Sequence, residues 1–301
     1  MSEQQISFDA LLPADMATKA EGIGVKKANL ALPQMFMLAI LAGAFIAMGA
    51  VFCTTVLAGG ISITDPTGAA VASTALPYGW NRFLGGLVFT VGLILVVVGG
   101  AELFTGNNLI TMAWANGKVT TLQLLKNWGV VYTGNFVGSI LTAFMMYLST
   151  QYTFGNGAIG KTVLAIGQAK CSLDFIPAVA LGIFCNALVC MAVWMCFSAR
   201  STGDKILAII PPIAAFVAAG FEHSVANMYF IPIALFVKMD TAWMEKVKIA
   251  PESISNLTWG NFFLKNLLPV TIGNIIGGAV MVGLVYWFVY LLPKKRAAAG
   301  K

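Results

Sequence analysis

The chain has 301 residues, of which 58% are hydrophobic and only 10% charged, with a net charge of +6. Soluble domains carry about 25% charged residues, so this composition cannot cover the surface of a soluble globule. The basic excess is a matter of membrane topology and anionic-lipid contact, and it carries no nucleic-acid inference.

Residues 1–33 contain Glu3, Asp9, Asp15 and Glu21 and lack the apolar core of a signal peptide. The stretch PADMATKAEGIGVKK, starting at Pro13, reads as a short surface helix with Pro in its first turn. This N-terminal segment is either a cytoplasmic cap packed on the membrane domain or a movable lid. Charge-free runs follow from residue 28 to 64, 83 to 101, 127 to 160, 175 to 199, 206 to 221, 224 to 237 and 266 to 293. A bilayer core of about 30 Å needs about 20 apolar residues of helix. Six spans are predicted, over 34–58, 84–115, 124–149, 176–198, 206–237 and 266–292, in an all-α membrane domain of residues 34–301. The five cysteines form no metal or disulfide pattern and read as small apolar packing residues.

Six spans put both termini on one side. Eleven Lys and Arg share that side, including Lys294, Lys295, Arg296 and Lys301, against seven on the longer loops opposite. The positive-inside rule then places both termini in the cytoplasm.

The sequence repeats itself. Leu125-Lys126-Asn127, Gly134-Asn135 and Gly138 recur as Leu264-Lys265-Asn266, Gly273-Asn274 and Gly277, an offset of 139 residues from Lys126 to Lys265. Gly43-x-Phe45 and Gly182-x-Phe184 echo at the same offset. Gly100-x-Glu102 with Asn107 echoes Gly220-x-Glu222 with Asn227 at an offset of 120. Repeats of three spans, over about 34–150 and 175–293, must be inverted with respect to each other, and sites in such folds lie near the midplane at broken helices. The second and fifth spans are long and are interrupted by polar clusters, Gly99 to Asn108 and Gly220 to Ser224.

A break leaves backbone N–H groups unpaired at the start of its second half, at the positive end of the helix dipole. Thr105 and Ser224 read as caps for these half-helices. Two inverted positive ends facing one centre favour anions over cations. Glu102 and Glu222 are expected to accept hydrogen bonds from loop N–H groups and hold the breaks in shape, rather than filter cations. His223, the one histidine, sits in a break beside Glu222 and can donate a hydrogen bond to an anion or pass it a proton. Asn186 and Asn274 are intramembrane amides that orient this centre or join helices. Phe89, Leu93 and Phe216 flank the breaks, where the default reading is packing and the functional one a dry constriction.

Val97 to Gly106, VVGGAELFTG, closely resembles the first signature of the formate/nitrite transporter family, and Gly182 to Cys190, GIFCNALVC, resembles its second. GFEHS at Gly220–Ser224 and Gly273-Asn274 also match, and the likeness runs along nearly the whole chain, closest to the bacterial formate-channel branch. Ala187 and Met191 are conservative departures. The resemblance implies an aquaporin-like protomer in a homopentamer, with one pore per subunit, in the bacterial inner membrane. It also implies passage of formate, pH-dependent through the central histidine. Carried onto matching positions, it implies a periplasmic-side constriction of Phe89 and Phe216 and a cytoplasmic-side one at Leu93. It places Phe104 and Thr105 in a mobile loop of the second span. His223 would face a chamber near Thr105, with Glu222, Asn186 and Asn274 around it. Lys170 would attract anions at the outer entrance.

The alternative substrates are nitrite and hydrosulfide, since a backbone anion site accepts any small monoanion. A neutral-solute pore is disfavoured by the absence of paired Asn-Pro-Ala motifs and of a second pore histidine. A quinone-linked membrane enzyme is disfavoured because one histidine cannot build a usual haem or di-metal site and no nucleophile–base set is present. The expectation is therefore no enzyme, no metal and no cofactor, or, failing flux, a pentameric scaffold. A cytoplasmic formate-producing enzyme is a reasonable partner, though no residue shows it.

Overall fold

The computed structural model describes residues 9–64, 70–74, 76–298 and 300; Glu3 and Lys301 lie outside them. The N-terminal helix is Pro13–Ala28. The first span is Leu32–Leu57, and the second is Tyr78–Gly99 followed, after a break, by a half-helix over residues 104–115. The third span is Thr121–Leu148 and the fourth Phe175–Ser198. The fifth is Thr202–Ala219, a break and Ser224–Val237. The sixth is a continuous run over residues 259–298 that mixes α turns with wide π turns at Phe262–Leu267, Ile276–Leu284 and Trp287–Leu291. Helix Ala158–Cys171 joins the third and fourth spans.

One departure from an all-helical chain is a two-stranded antiparallel hairpin, Ile61–Thr64 with Ala70–Thr74, Ile61 facing Thr74. These stretches are short and rich in β-branched Ile, Val and Thr, which suit strands better than helices. The hairpin lies between the first two spans.

Local chemistry accounts for the ends of the spans. Thr120 and Ser201 open the third and fifth spans with capping boxes, each completed by the residue three positions on, Gln123 and Asp204. Gly100 and Gly220 end the first halves of the broken spans at φ of 80° and 77°, the left-handed region that glycine enters without a Cβ clash. The chain therefore leaves both helices at equivalent places.

Packing shows the inverted repeat directly. A Cβ on Gly138 would collide with the Ile40 carbonyl oxygen, and one on Gly277 with the Ile183 carbonyl oxygen, so the third span crosses the first as the sixth crosses the fourth. This pairing sets Ile40 against Ile183, an offset of 143 residues. The expected Gly43–Gly182 equivalence is thus wrong by four residues, about one helical turn. Both glycines do sit at close helix contacts, Gly43 on Asn135 and Gly182 on Val270, which is why the mis-registered echo looked meaningful.

The N- and C-terminal helices lie on one face, where Lys294 Nζ donates to the Ala14 carbonyl at 3.2 Å. That face is called proximal below and its opposite distal. The N-terminal helix and the residues just before it are tied to the membrane domain. Lys118 pairs with Glu21 at 2.6 Å, Ser198 Oγ donates to the Leu11 carbonyl at 2.9 Å, and Arg200 Nε donates to the Asp9 carbonyl at 2.7 Å.

Candidate functional site

Two vestibules and a small chamber lie along one path through the helices. The distal vestibule, about 250 Å³, is lined by Arg82, Lys170, Glu222, Asn227 and His223, and reaches Phe89 and Phe216. The proximal one, about 320 Å³, is lined by Lys19, Lys27, Glu102, Asn107 and Lys205, and reaches Leu93 and Leu103. Between them is a chamber of about 10 Å³ bounded by Phe89, Phe216, Leu93, Leu103, His223, Ile46, Val189 and Ile213. That is about the room one water molecule needs. The Phe89 and Phe216 rings meet edge to face at 5.7 Å and close the chamber distally. Leu93 and Leu103 close it proximally.

The breaks are held by two asparagines that make the same bonds. Asn135 Oδ1 accepts from Phe104 N–H at 2.9 Å, and its Nδ2 donates to the carbonyls of Glu102 (2.9 Å) and Ala39 (2.7 Å). Asn274 Oδ1 accepts from Ser224 N–H at 2.9 Å, and its Nδ2 donates to the carbonyls of Glu222 (2.9 Å) and Gly182 (2.8 Å). The first N–H of each half-helix is therefore taken by an amide. The positive helix end acts on the centre through its field rather than through that donor.

Each carboxylate faces a vestibule and anchors a basic side chain. Glu102 accepts from Lys27 at 2.6 Å and from Asn107 at 2.7 Å. Glu222 accepts from Lys170 at 2.8 Å, Asn227 at 2.6 Å and Asn266 at 3.1 Å. Asn127 and Asn266 back the two clusters, each accepting from the amide of Asn107 or Asn227. The expectation that loop N–H groups hold the carboxylates is corrected: side chains do so, because the loop's own N–H groups turn to neighbouring spans, Glu102 N–H to Leu38 and Glu222 N–H to Leu181.

His223 links the halves. Its Nδ1 accepts from Ala226 N–H at 3.0 Å, which makes it the N-cap of Ser224–Val237. The Ser224 hydroxyl, expected to cap, has no partner among the described residues. Since Nδ1 accepts, the neutral ring carries its proton on Nε2, and Nε2 lies 3.0 Å from Thr105 Oγ1. Nε2–H donates a hydrogen bond to Thr105 Oγ1, which leaves the threonine hydroxyl hydrogen free to donate elsewhere. The Phe216 ring stacks on the imidazole at 5.8 Å.

The other sequence-predicted residues divide. Phe104 does not line the chamber or either vestibule. Its ring packs on Tyr132 (4.9 Å) and Trp128 (6.0 Å), and its neighbour Leu103 stands at the proximal constriction. Asn186 donates to the carbonyls of Asn274 (2.7 Å) and Thr105 (3.3 Å), so it positions both halves of the centre from behind. Asn274 likewise holds backbone. Among the described residues no cluster suited to a metal ion occurs.

The match to the formate/nitrite transporter family model extends over residues 14–288. The chain belongs to that family. It is 47% identical to the formate channel FocA of Escherichia coli K12, over 94% of this chain and 96% of that one. It is 34% identical to a probable formate transporter of Methanothermobacter thermautotrophicus, over 93% and 97%. A solved pentameric formate channel with formate bound superposes with a TM-score of 0.77 at 43% identity, over 87% of this chain and 98% of that one. The family member is thus a multi-pass membrane protein with the aquaporin-like fold, and its relatives are channels and transporters.

Sequence reasoning missed Lys27, Leu103, Asn107, Asn127, Asn135, Asn227 and Asn266 as site residues. The signal for most of them was present: Asn127, Asn135 and Asn266 are the repeated motif, and Asn107 and Asn227 are the third echo. The repeat reports topology, and its recurring amides are the anchors themselves.

Proposed function

We propose that this chain is a channel for formate, a small monovalent anion, in the bacterial inner membrane, assembled as a homopentamer with both termini in the cytoplasm. The family membership, the formate-named relatives and the basic excess on the termini-bearing side support this reading. The observation that carries it is His223, among the described residues the one polar side chain on the chamber between two apolar constrictions, hydrogen-bonded to Thr105 at the junction of the inverted halves.

An anion entering either vestibule meets a Lys–Glu pair beside further basic side chains, Arg82 distally and Lys19 and Lys205 proximally. It then sheds water at an apolar ring, where the His223–Thr105 pair and the field of the half-helices replace part of the lost hydration. The chamber has room for little more than one water, so Phe89, Phe216, Leu93 and Leu103 must shift for formate to pass. A neutral His223 cannot hand over its Nε2 proton without becoming an anion itself. Protonation of the permeant anion by His223 would require an imidazolium, and charging Nδ1 would break the Ala226 cap. The contact therefore favours His223 as a fixed donor to Thr105, with acidification acting on the cap.

The test is flux into proteoliposomes with formate, nitrite, hydrosulfide and chloride over a pH series. Formate passing fastest supports the reading. Nitrite or hydrosulfide passing faster leaves the site intact and changes the substrate, and no flux for any anion overturns the channel. In this reading a cytoplasmic formate-producing enzyme is the partner that would supply the proximal mouth.

A further inference from the structure

The two vestibules are built alike around their Lys–Glu–Asn clusters, yet they differ in charge. The distal one carries two cations, Arg82 and Lys170, against Glu222. Arg82 is turned aside to the carbonyls of Val217 and Ala218 at the end of the first half of the fifth span. The proximal one carries three, Lys19, Lys27 and Lys205, against Glu102 alone. Glu102 is already saturated by Lys27 and Asn107.

Lys19 and Lys205 are the surplus, and neither has a carboxylate within 4 Å among the described residues. Lys19 Nζ donates to the Phe197 carbonyl at 2.7 Å, which fixes its direction and leaves two of its three N–H groups free. Lys205 Nζ makes no hydrogen bond among the described residues, while its backbone carbonyl accepts from the Cys196 thiol. The nearby acids are occupied. Glu21 faces Lys118, and the Asp204 carboxylate takes the N–H groups of Arg200 and Ser201. Burial, together with the charges of Arg200 and Lys205, holds Lys19 below the usual lysine range, as expected where like charges converge without a counter-ion.

We propose that Lys19 and Lys205 form a second anion site at the proximal mouth, which takes small oxyanions ahead of the constriction. A monoanion loaded there goes on to the Leu93–Leu103 ring. A divalent oxyanion is bound more strongly by two ammonium groups but is too costly to dehydrate through an apolar ring, so it stays and slows flux from that side. The inference rests on the anion-channel reading, and its test separates the two.

Inorganic phosphate is the probe. Formate flux is followed in right-side-out and inverted membrane vesicles holding the full chain, with phosphate added to one face at a time. Phosphate on the proximal face is expected to slow the wild type. The K19Q/K205Q variant should raise the half-inhibitory concentration about fivefold or more, on the scale set by losing two nearby charges. K19R/K205R should keep it, and phosphate on the distal face should show no dependence on these residues. Should the glutamine pair fail to assemble, K205Q alone, which breaks no bond, should raise the value about twofold. Inhibition equal in wild type and glutamine variants, or none from the proximal face, overturns the proposal. Calorimetric phosphate binding to the purified protein, wild type against K19Q/K205Q, decides the site even where formate itself does not pass, an outcome that would sink the channel reading instead.

Discussion

Asn135 and Asn274 lie 139 positions apart in two inverted halves and hold the broken spans with the same three hydrogen bonds. Both are fully buried. Aspartate at either position would still accept from the half-helix N–H but would set a carboxylate oxygen against two carbonyls. N135D and N274D should each destabilise the assembled protein by roughly 3 kcal/mol or more, the scale for leaving buried polar groups opposed or unpaired. Thermal unfolding of the detergent-solubilised oligomer checks this. The pseudo-symmetry predicts similar losses for the two, and a loss at only one site would show that the halves are not equivalent.

The roles of His223 can be separated by substitution. Asparagine is a good N-cap, so H223N should keep the start of Ser224–Val237 while losing the reach to Thr105. It should assemble normally, with changed formate flux and a changed pH response. Flux and pH response both unchanged would remove His223 from the mechanism. T105V keeps the side chain's shape but removes the acceptor of His223 Nε2, and with it the polar pair that the proposed mechanism sets at the chamber. Its flux should fall about tenfold or more, which corresponds to ~1.4 kcal/mol of barrier, while T105S should stay near wild type.

How far the sequence reached follows from which signals are local. Spans, termini on one side and the positions of both breaks are one-dimensional facts, set by charge-free runs and by Gly100 and Gly220. The inverted repeat was legible because Asn127, Asn135, Asn266 and Asn274 recur at one spacing. The first-span register was not, because glycines mark several close crossings and Gly43 fits one a turn away from the true equivalent. The vestibule ion pairs were hidden for a different reason. Lys27 and Glu102 are 75 residues apart, and nothing local says that the N-terminal helix folds back over the second span. That Leu103 lines the chamber while Phe104 packs away from it turns on a single step along the backbone at the break, which no periodicity reports.

The constrictions give a selectivity prediction. Leu93 closes the chamber proximally with Leu103 and makes no polar contact, so L93A widens the path without touching His223. Its formate flux should rise, and acetate, which carries one extra methyl, should rise more, so the acetate-to-formate ratio increases. F216A should behave differently. Phe216 stacks on the imidazole and braces Phe89, and Phe→Ala in a packed site costs about 3–5 kcal/mol. That variant should lose stability along with selectivity. Paired flux and unfolding measurements distinguish the two, and an unchanged acetate ratio in L93A would place the barrier elsewhere.

Lys170 and Glu222 offer a double-mutant test of the distal vestibule. The Lys170 side chain is 16% exposed and that of Glu222 6%. K170Q leaves the carboxylate with only its Asn227 and Asn266 amides, facing the path of an anion. At about 8 Å and an effective dielectric near 20, an uncompensated negative charge opposes a monoanion by ~2 kcal/mol. K170Q should therefore cut formate flux more than tenfold. Adding E222Q removes the repelling charge as well as its partner, so K170Q/E222Q should recover most of that loss despite having no lysine to attract the anion. The coupling between the two changes is the informative quantity. If the double variant is as slow as K170Q alone, the lysine acts by contact with the anion. Recovery shows that its main work is to neutralise the glutamate that holds the break.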